Sequence, residues 1–166
     1  MLKQPLVVAM LALAGCAAPS GDRHFALDQT AVRHPFSRIQ PQDHITVGYT
    51  SQGCFHYLAY RFQFERRDKV QVRITTLWKP RRYLGTVTLS DEDLAGLDRL
   101  ISYYRTHPEG ECTTNDGVDI TYRRTSYGVT YGLAEEKYND MSCQVDETKG
   151  VLSLRELAHR VDKSIY

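Results

Sequence analysis

The sequence predicts an α+β domain: an antiparallel sheet of about six strands with two helices packed on it. Three observations predict it. Alternating apolar and polar residues recur from Ile45 to Leu89 with short polar turns between them, the pattern of antiparallel strands with one wet face. The segments after Ser90 and after Ser153 carry a 3.6-residue apolar period with capping signals at their starts. A further alternating pair, Val118 to Leu133, lies between those two segments. A sheet with one apolar face and helices with one apolar stripe bury them against each other.

Taken in order, the chain starts with Lys3 and an apolar run from Leu6 to Ala14. That is the layout of a secretory signal, and it falls far short of the ~20 residues a spanning helix needs. Ala17 to Gly21 is small and flexible, and Asp22 to Asp43 has no period. The residues before Pro35 and Pro41 resist helix, leaving one helical turn over Ala26 to Val32 as the only candidate element. Residues 16–42 are therefore expected to be a tether with a reach of roughly 25–30 Å. Residues 43–166 are assigned to a single domain.

The first strand carries Ile45, Val47 and Tyr49, and the second Leu58, Tyr60, Phe62 and Phe64. Val70, Val72 and Ile74 mark the third, and Tyr83 to Leu89 the fourth, which completes a four-strand meander. Ser90 is a good N-cap with Asp91, Glu92 and Asp93 in the positive first turn, and Leu89 and Leu94 occupy staple positions. Leu94, Leu97 and Ile101 are expected to pack on Phe62, Val72 and Ile74. Pro108 stops this helix. A hairpin follows, Val118 to Tyr122 and Tyr127 to Leu133, with its turn placed at Arg123 to Ser126 and Glu135 to Gly150 read as polar loop. The second helix opens on a Ser153–Glu156 capping box, with Leu152 and Leu157 as staple.

Function classes are bounded mainly by exclusion. With 21 basic and 20 acidic side chains the chain has no field to recruit nucleic acid or an anionic surface. No histidine pair has zinc-protease spacing and no Cys-x-x-Cys occurs, so no metal site is expected; His44 and His56 could meet across a hairpin but lack a third ligand. No Gly-x-Ser-x-Gly or Ser-x-x-Lys motif is present, so no catalytic residue is assigned and no cofactor is expected. Ser51, Cys54 and His56 come nearest to a nucleophile set. Cys54 and His56 are two apart on an expected strand, with Cβ atoms too distant for an easy hydrogen bond, so Cys54 reads as a buried cysteine at a strand start. Arg66-Arg67, Arg81-Arg82 and Arg123-Arg124 fall at turns and read as solvated. Tyr122, Tyr127, Tyr131 and Tyr138 cluster in sequence and form the candidate partner surface, since tyrosine joins area, rigidity and a polar tip.

The apolar run ends in Leu13-Ala14-Gly15-Cys16. This resembles the lipobox of bacterial lipoprotein precursors, a likeness confined to roughly the first twenty residues. The resemblance implies that residues 1–15 are a signal peptide removed on export and that Cys16 carries a diacylglycerol. It implies a lipid anchor in the cell envelope, and Ala17 after the cysteine favours the outer membrane, facing the periplasm. Loss of Lys3 leaves 20 basic and 20 acidic side chains.

An exported domain sits where disulfides persist. With Cys16 set aside, Cys54, Cys112 and Cys143 allow one bond and leave one thiol. Cys112 and Cys143 flank the hairpin, taken to turn near Thr125, on the side where its two segments emerge together. They are the expected pair, with Cys54–Cys112 and Cys54–Cys143 the alternatives. The functional expectation is a lipid-anchored envelope lipoprotein with a non-enzymatic, protein-binding domain, such as an immunity or inhibitor protein or an accessory subunit. The alternative is a small-ligand or glycan-binding lipoprotein.

Overall fold

The computed structural model describes residues 33–78, 80–106 and 110–163. The signal segment, Cys16 and the helical turn expected over Ala26 to Val32 lie outside them. The described chain is α+β, mostly antiparallel sheet with two helices. In order it forms β1 (Asp43–Gln52), β2 (Tyr57–Arg66), β3 (Val70–Thr76), β4 (Arg82–Thr88), α1 (Asp91–Thr106), β5 (Asn115–Ser126), β6 (Val129–Asp140) and α2 (Leu154–His159). The described strands form one sheet in the order β4-β3-β2-β1-β5-β6. The meander thus runs outward from β1, and the later hairpin adds to the other side of β1 through β5.

The register explains the core. Val47 lies opposite Phe62 on one side and Ile120 on the other, and Phe62 lies opposite Ile74. The next rung carries Ile45, Phe64, Val72 and Tyr122. Period-2 alternation puts these side chains on one face, and α1 covers them with Leu94, Leu97, Leu100 and Ile101, all in the same buried cluster. α2 adds Leu154, Leu157 and Ala158. Gly96 allows the approach of the chain that leads into α2. A Cβ there would lie 2.9 Å from the Leu152 Cβ, and the Leu152 amide donates to the Gly96 carbonyl at 3.3 Å.

Both helices start as their capping signals direct. The Asp93 amide donates to Ser90 Oγ at 3.1 Å and the Ser90 amide to Asp93 Oδ2 at 2.9 Å, a reciprocal box. The Glu156 amide donates to Ser153 Oγ at 3.1 Å. Arg160, just past α2, reaches Asp93 at 2.7 Å and ties the two helices together. That hydrogen bond holds the Asp93 carboxyl down to about 2. A carboxyl with a lowered folded pKa stabilises the fold above its unfolded value, so this tie weakens as pH falls from about 4 towards 2.

Three expectations are corrected here. The folded unit begins before Asp43: Phe36 and Ile39 belong to the core, and the Phe36 ring meets Phe64 edge-on at 4.8 Å. Asp98, buried within α1, accepts the Phe36 amide at 2.9 Å and the Ser37 amide at 3.1 Å, so residues 34–42 are pinned to α1 rather than belonging to a tether. The hairpin turns at Tyr127-Gly128, not at Arg123–Ser126, because Ser126 pairs directly with Val129. Both turn residues have positive φ, 51° and 75°, the two-residue turn whose twist suits a hairpin, with glycine at its second position. Consequently β6 runs on to Asp140, and Glu135 to Asp140 is strand rather than loop.

Candidate functional site

Cys112 and Cys143 form a disulfide, with Cα atoms 5.8 Å apart. With the turn at Tyr127-Gly128, each cysteine lies 15 residues from it, so the two segments meet where the hairpin opens. The Cys112 amide donates to the Met141 carbonyl at 2.6 Å and continues the pairing past β6. Replacing both cysteines with serine will lower the unfolding free energy by about 2–4 kcal/mol. Urea denaturation of the oxidised protein against the double variant measures it.

The expected tyrosine surface is not assembled. Tyr122 is 6% exposed and faces the core, in phase with Val118 and Ile120. Its burial pushes its phenol well above the ordinary range. Tyr138 stacks on Tyr104 at 5.8 Å and donates to Glu136, which also holds Arg105 of α1 at 2.6 Å. Tyr138 thus packs β6 onto α1, its phenol pushed up to about 12 by burial and then by that hydrogen bond. Tyr127 is exposed at the hairpin tip. The Tyr131 side chain lies outside the described residues.

The exposed aromatic residues gather instead at the opposite end of the sheet. β1 is entered at Asp43, beside Arg124 of the hairpin, and finishes at Gln52, roughly 30 Å away. There the Gly53 amide donates to the His56 carbonyl at 3.0 Å and closes a tight turn between β1 and β2. Cys54 and Phe55 occupy its outer corners. Cys54 is exposed, which corrects the expectation of a buried thiol. Phe55 is 101% exposed. Beside the turn, Tyr57 and Trp78 are 45% and 54% exposed and meet edge to face at 4.9 Å. Trp78 is held by its amide on Thr76 Oγ1 at 3.2 Å, and Leu77 by its amide on the Ala59 carbonyl at 2.8 Å. A groove of about 400 Å³ runs beside this pair, bounded also by Tyr60, Pro80, Arg82 and Asp162.

No protein-family model matches the chain, and no curated protein matches it in sequence.

Under the distal turn lies a polar cluster. Ser51 Oγ is 3.1 Å from His56 Nε2 and accepts from the Arg155 guanidinium at 3.1 Å. Tyr49 donates to Asp116 at 3.0 Å. A serine and histidine in contact invite a nucleophilic reading, but the carboxylate here takes its hydrogen bonds from Tyr49 and Ser51 rather than orienting His56, and Ser51 is 0% exposed. The contact instead clamps the turn to α2. His44 and His56 sit at opposite ends of the β1–β2 hairpin, since His44 pairs with Glu65 and Gln52 with Tyr57. Among the described residues no group of three metal-type side chains is close enough to hold an ion, and no helix is long and apolar enough to cross a membrane.

Asp116 has a testable consequence. Burial raises its carboxyl pKa against the hydrogen bonds from Ser51 and Tyr49, and Oδ1 has no hydrogen-bond partner among the described residues. A raised folded pKa means stability is fully present below the unfolded value, near 4, and is lost as pH rises through the folded one. Asp116→Asn will therefore raise the urea midpoint at pH 7 relative to the parent and leave it nearly unchanged near pH 3. Equal shifts at both pH values would rule this out.

Proposed function

We propose that this chain is a lipid-anchored lipoprotein of the bacterial envelope, held at the outer membrane and facing the periplasm, whose domain binds another protein without catalysing a reaction. The observation that carries the binding reading is the exposed aromatic end: Tyr57 and Trp78 meet at the end of the sheet remote from where the chain enters β1, and Phe55 stands fully exposed in the adjoining β1–β2 turn. Interface centres are enriched in such residues, and leaving Phe55 in water has a cost that a partner would remove. The Cys112–Cys143 bond fits an exported protein. The anchor rests on Leu13-Ala14-Gly15-Cys16, and acyl chains on Cys16 would hold the domain far more firmly than one chain can.

Two measurements test the reading. Mass spectrometry of the mature N-terminal peptide should find Cys16 acylated; an unmodified Cys16 sinks the anchor. Affinity purification from detergent-solubilised membranes should retain a stoichiometric protein that Phe55→Asp releases while the fold is kept. A partner that survives Phe55→Asp and Tyr57→Ala together places the interface elsewhere.

A further inference from the structure

We propose that β4 is a self-association edge, where a second copy of this chain adds its own β4 antiparallel and continues the sheet across a dimer. This goes beyond the protein-partner reading and does not depend on it.

The strand order leaves β4 at one margin of the sheet, and among the described residues no strand pairs with its outer side. One bond sets the phase of its backbone. The Leu89 amide donates to the Val70 carbonyl at 2.9 Å, so the Leu89 backbone faces β3. Alternation along an antiparallel pair then turns the Val87 and Gly85 backbone towards β3, and that of Thr88 and Thr86 away from it. Thr86 and Thr88 therefore hold their N–H and C=O groups out at the open margin. Edges that must stay single carry charges or proline. Tyr83 to Thr88 carries neither, whereas β6, at the other margin, carries Glu135, Glu136, Lys137 and Asp140. The register with β3 skips Leu84, a bulge that confines regular pairing to Gly85 and beyond.

The residues flanking β4 select the occupant. Arg81 and Arg82 stand at its start, Asp91 and Glu92 follow its end, and all four are exposed. Antiparallel pairing of two copies brings each arginine end beside the other copy's acidic end. Parallel pairing would set like charges side by side, which costs stability. A two-fold axis at Thr86 makes that residue its own partner in a reciprocal hydrogen-bonded pair. The same axis sets Arg81 opposite Asp91 of the other copy. A foreign strand would have to bring this order of charges with it, and a second copy brings it by identity. The paired run is short, so the contact belongs with the weak, reversible ones.

Sedimentation velocity on the purified mature protein, in detergent, tests this. Cys54→Ser is the background throughout, so that the exposed thiol cannot cross-link two copies. A reversible monomer–dimer equilibrium with a Kd of about 1–100 µM is expected. Thr86→Pro removes an outward N–H that β3 does not use, and should leave a monomer with unchanged circular dichroism. Arg81→Glu and Asp91→Arg should each weaken the dimer about 3- to 10-fold, since each change acts twice across the two-fold axis. Combined, they should restore it to within about 2-fold of the parent. This charge exchange decides the matter if Thr86→Pro fails to fold. Phe55→Asp, which releases the protein partner, should leave the dimer intact, so the two readings fail separately. A monomer up to about 300 µM overturns the proposal. So does a combined variant no tighter than the single ones, or a dimer that Phe55→Asp dissolves.

Discussion

Phe36→Ala will lower the unfolding free energy by about 3–5 kcal/mol, the range for a large aromatic side chain removed from a closed core. Phe36 is 1% exposed and packs edge-on against Phe64, which sits in the sheet between Ile45 and Val72. Little can collapse into the space, because the Asp98 carboxylate holds the Phe36 and Ser37 backbone from above. Removing the ring should also loosen Ile39, whose carbonyl accepts from Arg66 at 3.1 Å. Urea denaturation measures the loss. A cost below about 1 kcal/mol would return residues 34–42 to the tether.

Leu97→Ala will cost about 3–5 kcal/mol. Leu97 is fully buried on the α1 face that meets the sheet, in one cluster with Phe62, Val72 and Ile74. Sheet rungs fix the opposing surface, and a backbone tied by cross-strand hydrogen bonds does not follow a vanished side chain. The cost should therefore approach the upper part of the range for buried leucines, with the cavity adding to the lost transfer term. A result under about 1 kcal/mol would mean α1 does not seal the core.

Strands with an unbroken alternation were legible because the same face stays buried along their whole length. Ile45, Val47 and Tyr49 read correctly for that reason, and so did the capped starts at Ser90 and Ser153. The hairpin failed on a specific point. Tyr127-Gly128 has the turn chemistry, but Arg123 to Ser126 is polar enough to read as the turn, and misplacing the turn also ends the following strand too early, short of Asp140. The phase of Tyr122 was available: it alternates with Val118 and Ile120, both core residues, and that pattern outranks tyrosine's general liking for interfaces. The distal aromatic end was not legible. Phe55 lies in the β1–β2 turn and Trp78 just past the end of β3, but in sequence each continues an alternating apolar run and resembles an ordinary core aromatic.

By itself the sequence determined the local matters: which stretches alternate, where helices start, which cysteines could pair, and an N-terminus that resembles a lipoprotein's. These depend on neighbours within a few positions, where capping, periodicity and turn geometry act. The tertiary structure alone decided which residues share a surface. Strand order places β5 against β1 and so sets the ends of the sheet, and a buried carboxylate on α1 holds the segment that carries Phe36 and Ile39 into the core. Tyr57 meets Trp78 only because β2 and β3 pair in one register, and a register is fixed by the whole buried face, not by any one segment.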